Sequence, residues 1–170
     1  MSGTSGNISV RLEDANLLVT PAAAALGDLD PGELVVVSPD GRVIGEGTPS
    51  SELPLHLATY RVRPDVSALI HTHPTYCVVW SKTGGVFARD TVGATETLGP
   101  VGWAPYEKPG SQELAAAVAD AFAGGVNSVL MERHGLCAVG SSLESAFVLT
   151  DLAEEAAKIA YLCRTAGLEQ

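Results

Sequence analysis

Residues 67–74 read Ser-Ala-Leu-Ile-His-Thr-His-Pro, and this stretch narrows the choice of fold more than any other. A short apolar run that stops at a proline is the pattern of a buried strand. Alternate side chains of an extended chain face the same side. His71 and His73 therefore present their imidazoles to one spot. Neutral imidazole is a good ligand for a divalent ion such as zinc. Taken alone, the pair reads equally well as two hydrogen-bonded histidines at a strand end.

Short strands and helices surround this stretch. Residues 6–12 and 17–20 form an expected hairpin across Asp14-Ala15-Asn16, and residues 22–26 a short helical turn. Residues 33–38 and 42–45 pair across Pro39-Asp40-Gly41, a strong turn sequence. Pro49-Ser50-Ser51-Glu52 opens a helix to about Arg61, with Leu53, Leu57 and Tyr60 at helical spacing. A helix over 75–82 is ended by Gly84-Gly85, residues 86–101 show no clear period, and 103–110 read as a loop. Ser111 caps a helix with Leu114, Val118 and Phe122 in a line, ended by Gly124-Gly125. Strands over 127–131 and 136–139 flank the bend Glu132-Arg133-His134-Gly135. Ser142 starts a last helix to about Thr165, with Leu143, Ala146, Phe147 and Thr150 near one face. This is the pattern of an α/β protein, and 170 residues suit one domain with a sizeable core.

The formal charge of −10 argues against nucleic acid or an anionic membrane as partner. An anionic substrate must then be held by local groups. No apolar run approaches membrane-spanning length, and the opening Met1-Ser2-Gly3-Thr4-Ser5-Gly6 is not signal-like. Cys77, Cys137 and Cys163 lie far apart, as buried reduced thiols of a cytoplasmic protein do.

His134 in its bend reads first as a structural hydrogen-bond partner. Yet His71, His73 and His134 are three of only four histidines. Three imidazoles leave a fourth coordination position open, as catalytic zinc requires. His56, one helical turn beyond Glu52, is a core group or a partner of these ligands. Ser50-Ser51-Glu52 is either a helix cap or an anion site at a helix N-terminus. Gly6, Asn7 and Thr20 supply further donors if the first hairpin folds onto that end. Glu52 is either a surface carboxylate or a general base beside the metal.

Four motifs follow one another in order: Thr4-Ser5-Gly6-Asn7-Ile8-Ser9-Val10-Arg11, Pro49-Ser50-Ser51-Glu52, Arg63-Pro64-Asp65 ahead of His71-Thr72-His73-Pro74, and Arg133-His134-Gly135. Together they resemble the class II aldolase/adducin family over nearly the whole chain. The resemblance implies a three-layer α/β/α fold around a central, mainly antiparallel sheet, as one domain over 1–170. It implies a homotetramer with active sites at subunit interfaces. It also implies zinc on His71, His73 and His134, with Glu52 as catalytic acid/base. Gly6, Asn7, Thr20, Ser50 and Ser51 match positions that bind a substrate phosphate. The implied reaction is reversible cleavage of a ketose 1-phosphate, of the L-fuculose 1-phosphate kind, to dihydroxyacetone phosphate and an aldehyde. Related epimerases carry aspartate where this chain has Glu52, which favours aldol cleavage. Dehydration of a methylthioribulose-1-phosphate-type substrate and decarboxylation of a small acid use the same site and stay open. A non-catalytic scaffold fits less well with three histidines and Glu52 in place. Four departures stand out. The sequence starts almost at its first strand, where family members usually begin with a helix, Ala22-Ala23 replace a Ser-Gly pair, the sequence ends soon after the last helix, and Tyr106 matches a partner-subunit tyrosine by type only.

Overall fold

The computed structural model describes residues 5–84, 87 and 91–168. Thr4 of the first motif and Gly85 of the expected glycine stop lie outside the described residues. The strands are β1 Asn7–Arg11, β2 Leu17–Val19, β3 Val35–Val37, β4 Val43–Ile44, β5 Ala68–Thr72, β6 Val101–Ala104, β7 Ser128–Met131 and β8 Gly135–Gly140. They form one sheet in the order β4-β3-β2-β1-β5-β8-β7-β6. Every pairing is antiparallel except β6 with β7. The helices are α1 Leu53–Val62, α2 Thr75–Ser81, α3 Gln112–Ala123 and α4 Leu143–Thr165. The expected mainly antiparallel α/β fold is therefore the observed one.

Both faces of the central strands are covered, which is why they carry apolar residues on both sides. Leu69, Val129, Met131, Cys137 and Val139 face α1 and α3. Their neighbours Leu130, Leu136 and Ala138 face α2 and α4, and Ala68 and Ile70 pack with Ala146 of α4. The line of Leu114, Val118 and Phe122 is fully buried as expected. Each such side chain stabilises the fold by about 1.5–3 kcal/mol. Ser111 and Ser142 accept backbone N–H bonds at the starts of α3 and α4. Helix α2 has no cap of its own, and Glu154 of α4 accepts the N–H groups of Tyr76 and Cys77 instead. Among the described residues, no helix is long and apolar enough to cross a membrane.

Several expectations need correction. Residues 22–26 form no helix, because Pro21 bridges to Pro49 and Ala22 donates to the carbonyl of Thr48. The same bridge delays the next helix, which starts at Leu53 rather than at Pro49. Trp103 lies in β6, not in a loop, because parallel pairing with β7 imposes an extended form that its sequence signals weakly. Residues 94–98, which showed no clear period, form a π-helical turn. On α4 the expected face is only half right: Leu143 and Phe147 are exposed, Phe147 by 62 %. The buried row is Ala146, Leu149, Ala153, Ala156, Ala157 and Ala160. Small residues win because the helix start lies very close to the sheet. A Cβ on Gly140 would stand 2.6 Å from the Ala146 nitrogen. Cys77 and Cys137 are buried free thiols, whereas Cys163 is half-buried.

Ala23 takes a left-handed φ of 57°. A side chain there costs about 1–2 kcal/mol that glycine avoids, part of which glycine returns through a freer unfolded chain. Ala23→Gly is expected to raise stability by about 0.5–1 kcal/mol, read from the urea midpoint. An unchanged or lower midpoint would contradict this.

Candidate active site

Strand register brings the first elements of the site together. In the β1–β5 pair Asn7 stands opposite His71, so both side chains point to the α1 face. Glu52 arrives above them from the start of α1. Its Oε2 lies 3.2 Å from Asn7 Nδ2 and 3.0 Å from His71 Nε2. His134 comes from the β7–β8 bend, where Arg133 takes a left-handed φ of 55°. Its Nε2 is 3.5 Å from Glu52 Oε1. The Nε2 atoms of His71 and His73 are 3.0 Å apart. The three imidazoles offer ligand atoms that all lie within 4.8 Å of one another. The bend histidine thus meets the paired ones at one centre.

The donor set fits a divalent ion. His71 Nδ1 donates to the Leu136 carbonyl at 3.0 Å, which leaves the Nε2 lone pair facing the cluster. Glu52 Oε1 and His134 Nδ1 are buried without hydrogen-bond partners. His71 is fully buried, whereas His73 is exposed to the cleft. Three neutral imidazoles with an open side are the donor set of catalytic zinc.

Without a metal the three imidazoles differ in protonation. Burial favours a neutral Glu52, but its hydrogen bond to His71, the charges of His71 and His134, and the Asn7 amide outweigh it and hold its pKa at about 2. Burial and then the charge of His71 push His134 down to about 4 and lower His73 as well. Burial also opposes a charge on His71, yet Cys137 and Glu52 raise its pKa to about 10. Cys137 is kept a neutral thiol by its own burial, so Glu52 is the partner of that proton. A cation held by the three histidines would take the place of that proton.

Gly135 was part of the expected bend, but its function was not legible. A Cβ there would stand 2.3 Å from the Thr72 carbonyl oxygen and 2.8 Å from the His73 ring. Only glycine lets the two arms carrying histidines approach this closely. Gly135→Ala is expected to weaken divalent-metal binding by about 10–100-fold, measured by competition with a chelator. Wild-type affinity in this variant would show that the bend yields without moving His134.

A cleft of about 320 Å³ opens beside the cluster, lined by Gly6, Asn7, Ser50, Ser51, Glu52, His73 and His134 among others. Gly6 has a φ of 96°, and a Cβ on it would meet the His71 carbonyl at 2.6 Å. Ser50 Oγ accepts from the Glu52 N–H at 3.2 Å, which leaves its own proton to donate. Ser51 is exposed at the rim. Thr20 departs from the expected set. It is buried outside this lining, and its hydroxyl accepts from the Ile8 N–H at 3.0 Å. Tyr106 is not brought to the cleft within this chain; its ring lies under the Arg133 guanidinium at 4.1 Å. Pro109 was missed as a lining residue, although Pro109-Gly110 is a turn signal. His56 stands behind the site, bonded to Asn7 and Ser9.

Comparison with known proteins identifies the family. A family model described as class II aldolase and adducin N-terminal domain matches residues 1–161. An L-fuculose phosphate aldolase of Methanococcus vannielii is 33 % identical over 160 residues, 94 % of this chain and 86 % of that protein. A 3-oxo-tetronate 4-phosphate decarboxylase of Escherichia coli K12 is 34 % identical over 166 residues, 95 % of this chain and 78 % of that protein. The crystal structure of L-fuculose-1-phosphate aldolase from Thermus thermophilus superposes with a TM-score of 0.85 at 29 % identity, covering 100 % of this chain and 89 % of that one. The chain belongs to the class II aldolase and adducin family, as one of its metal-dependent lyases.

Proposed function

We propose that this chain is a zinc-dependent aldolase that reversibly cleaves a ketose 1-phosphate to dihydroxyacetone phosphate and an aldehyde. The observation that carries the reading is the meeting of His71, His73, His134 and Glu52 beside a cleft that Gly6, Asn7, Ser50 and Ser51 also line. In this reading the three histidines hold the zinc, which supplies a Lewis acid where negative charge develops at the substrate carbonyl. The Ser50 and Ser51 hydroxyls, the Asn7 amide and the backbone at Gly6 hold the phosphate monoester. Thr20 supports these groups indirectly, since its carbonyl accepts the Ser50 N–H at 3.0 Å. Glu52 is ionised, with Oε2 fixed by Asn7 and His71 and Oε1 facing His134 without a hydrogen-bond partner. Oε1 is thus the atom that gives a proton to, or takes one from, the substrate carbon next to the carbonyl.

A second reading is favoured by the likeness to 3-oxo-tetronate 4-phosphate decarboxylases. A 3-oxo-tetronate 4-phosphate and a ketose 1-phosphate both place the carbonyl next to the phosphate-bearing carbon. Loss of carbon dioxide from the first, or of an aldehyde from the second, leaves the same three-carbon enediolate. The residues derived above serve either reaction, and only the departing half differs. The test supplies both substrate types and measures dihydroxyacetone phosphate, aldehyde and carbon dioxide. Aldehyde release supports the aldolase; carbon dioxide release alone replaces it with the decarboxylase.

The reading includes a cytoplasmic homotetramer whose cleft is completed by a partner subunit. Free buried thiols support the compartment, and exposed Phe147 and Val92 support association.

A further inference from the structure

Behind Glu52 runs a buried chain of hydrogen bonds. Asn7 Nδ2 lies 3.2 Å from Glu52 Oε2, and Asn7 Oδ1 lies 2.6 Å from His56 Nε2. His56 Nδ1 lies 2.6 Å from Ser9 Oγ, which lies 3.0 Å from the Tyr60 hydroxyl. Tyr60 is also 3.0 Å from the Ser9 carbonyl oxygen. Ser9 and His56 are fully buried, and Asn7 and Tyr60 are 5 % and 7 % exposed, so these groups must satisfy one another.

The Glu52 carboxylate fixes the direction of the chain. The Glu52 carboxylate accepts only, so Asn7 turns its N–H groups toward it. The Asn7 carbonyl then faces His56 and needs a donor there. Burial keeps His56 neutral, so its one proton sits on Nε2 and its Nδ1 accepts from Ser9. Tyr60 closes the chain at the Ser9 hydroxyl and donates its own proton to the Ser9 carbonyl oxygen. In the opposite direction, the Asn7 oxygen would face a carboxylate oxygen at 3.2 Å, two acceptors with no proton between them.

We propose that His56 is a positioning residue: its Nε2–H pins the Asn7 carbonyl and so keeps the Asn7 amide N–H groups turned toward Glu52 and the cleft. The inference rests on the reading of that cleft as the seat of a phosphate monoester. A free Asn7 amide would rotate part of the time and show its oxygen to the anion.

The test is a double-mutant cycle on the zinc-loaded protein with phosphoglycolohydroxamate, an enediolate mimic, as the probe. His56→Leu is expected to weaken probe binding by roughly tenfold or more. In an Asn7→Ala background the same change is expected to cost less than about twofold, because nothing remains to be oriented. Zinc content should hold in all variants. Should His56→Leu fail to fold, the cycle is run with His56→Gln, which lengthens and loosens the contact. Equal losses in both backgrounds, or no loss in either, overturn the proposal. Nitrogen-15 spectra of the histidines give an independent readout. His56 is expected as the Nε2–H tautomer, and the Nδ1–H form overturns the proposal. Wild-type protein that binds neither zinc nor probe would sink the functional reading alone, and the tautomer then decides this one.

Discussion

His71→Ala protein purified without added metal is expected to carry no zinc, against about one zinc per chain in the wild type. His71 is fully buried, and its Nδ1 bond to Leu136 aims the Nε2 lone pair at the cluster. The substitution also removes the Nε2 group that contacts Glu52 Oε2, leaving a buried carboxylate with Asn7 as its remaining close donor. The emptied volume and the weakened ion pair are expected to cost roughly 2–5 kcal/mol of stability. Elemental analysis reads the metal, and circular dichroism at low temperature verifies the fold. Zinc retained at the wild-type ratio would remove His71 from the ligand set.

Glu52→Gln is expected to keep both zinc and fold and to lower turnover by about 10²–10⁴-fold. Glutamine is nearly the same shape and reaches the same neighbours, so structure alone predicts little change. What it lacks is a basic oxygen at the Oε1 position, the atom without a hydrogen-bond partner. Substrate affinity should fall far less than turnover, because the phosphate end is held by other groups. Turnover within a few-fold of wild type would take proton transfer away from Glu52.

Much of the site was legible in the sequence because its parts obey short-range rules. The two-residue period of an extended chain put His71 and His73 together, and the glycine bend marked the place of His134. The pairing of Asn7 with His71 was not legible, because strand register is set by tertiary packing. The His56 chain was hidden for the same reason: its links join residues 45 to 51 positions apart. On α4, apolar size misled, since Phe147 faces outward and a row of alanines lies against the sheet. The turn after Pro21 was misread because Ala23 takes a conformation that its residue type does not advertise.

The antiparallel register of Asn7 against His71 makes the cleft a ruler. On the proposed reading Gly6 and Asn7 reach the anion from the strand paired with the one that carries His71, so a backbone ladder helps to set the spacing between anion and metal. Compounds that set one carbon between phosphate ester and carbonyl should be accepted whatever lies beyond, and those that set two should be refused. Variety among relatives would then arise only at the far side of the bond that breaks.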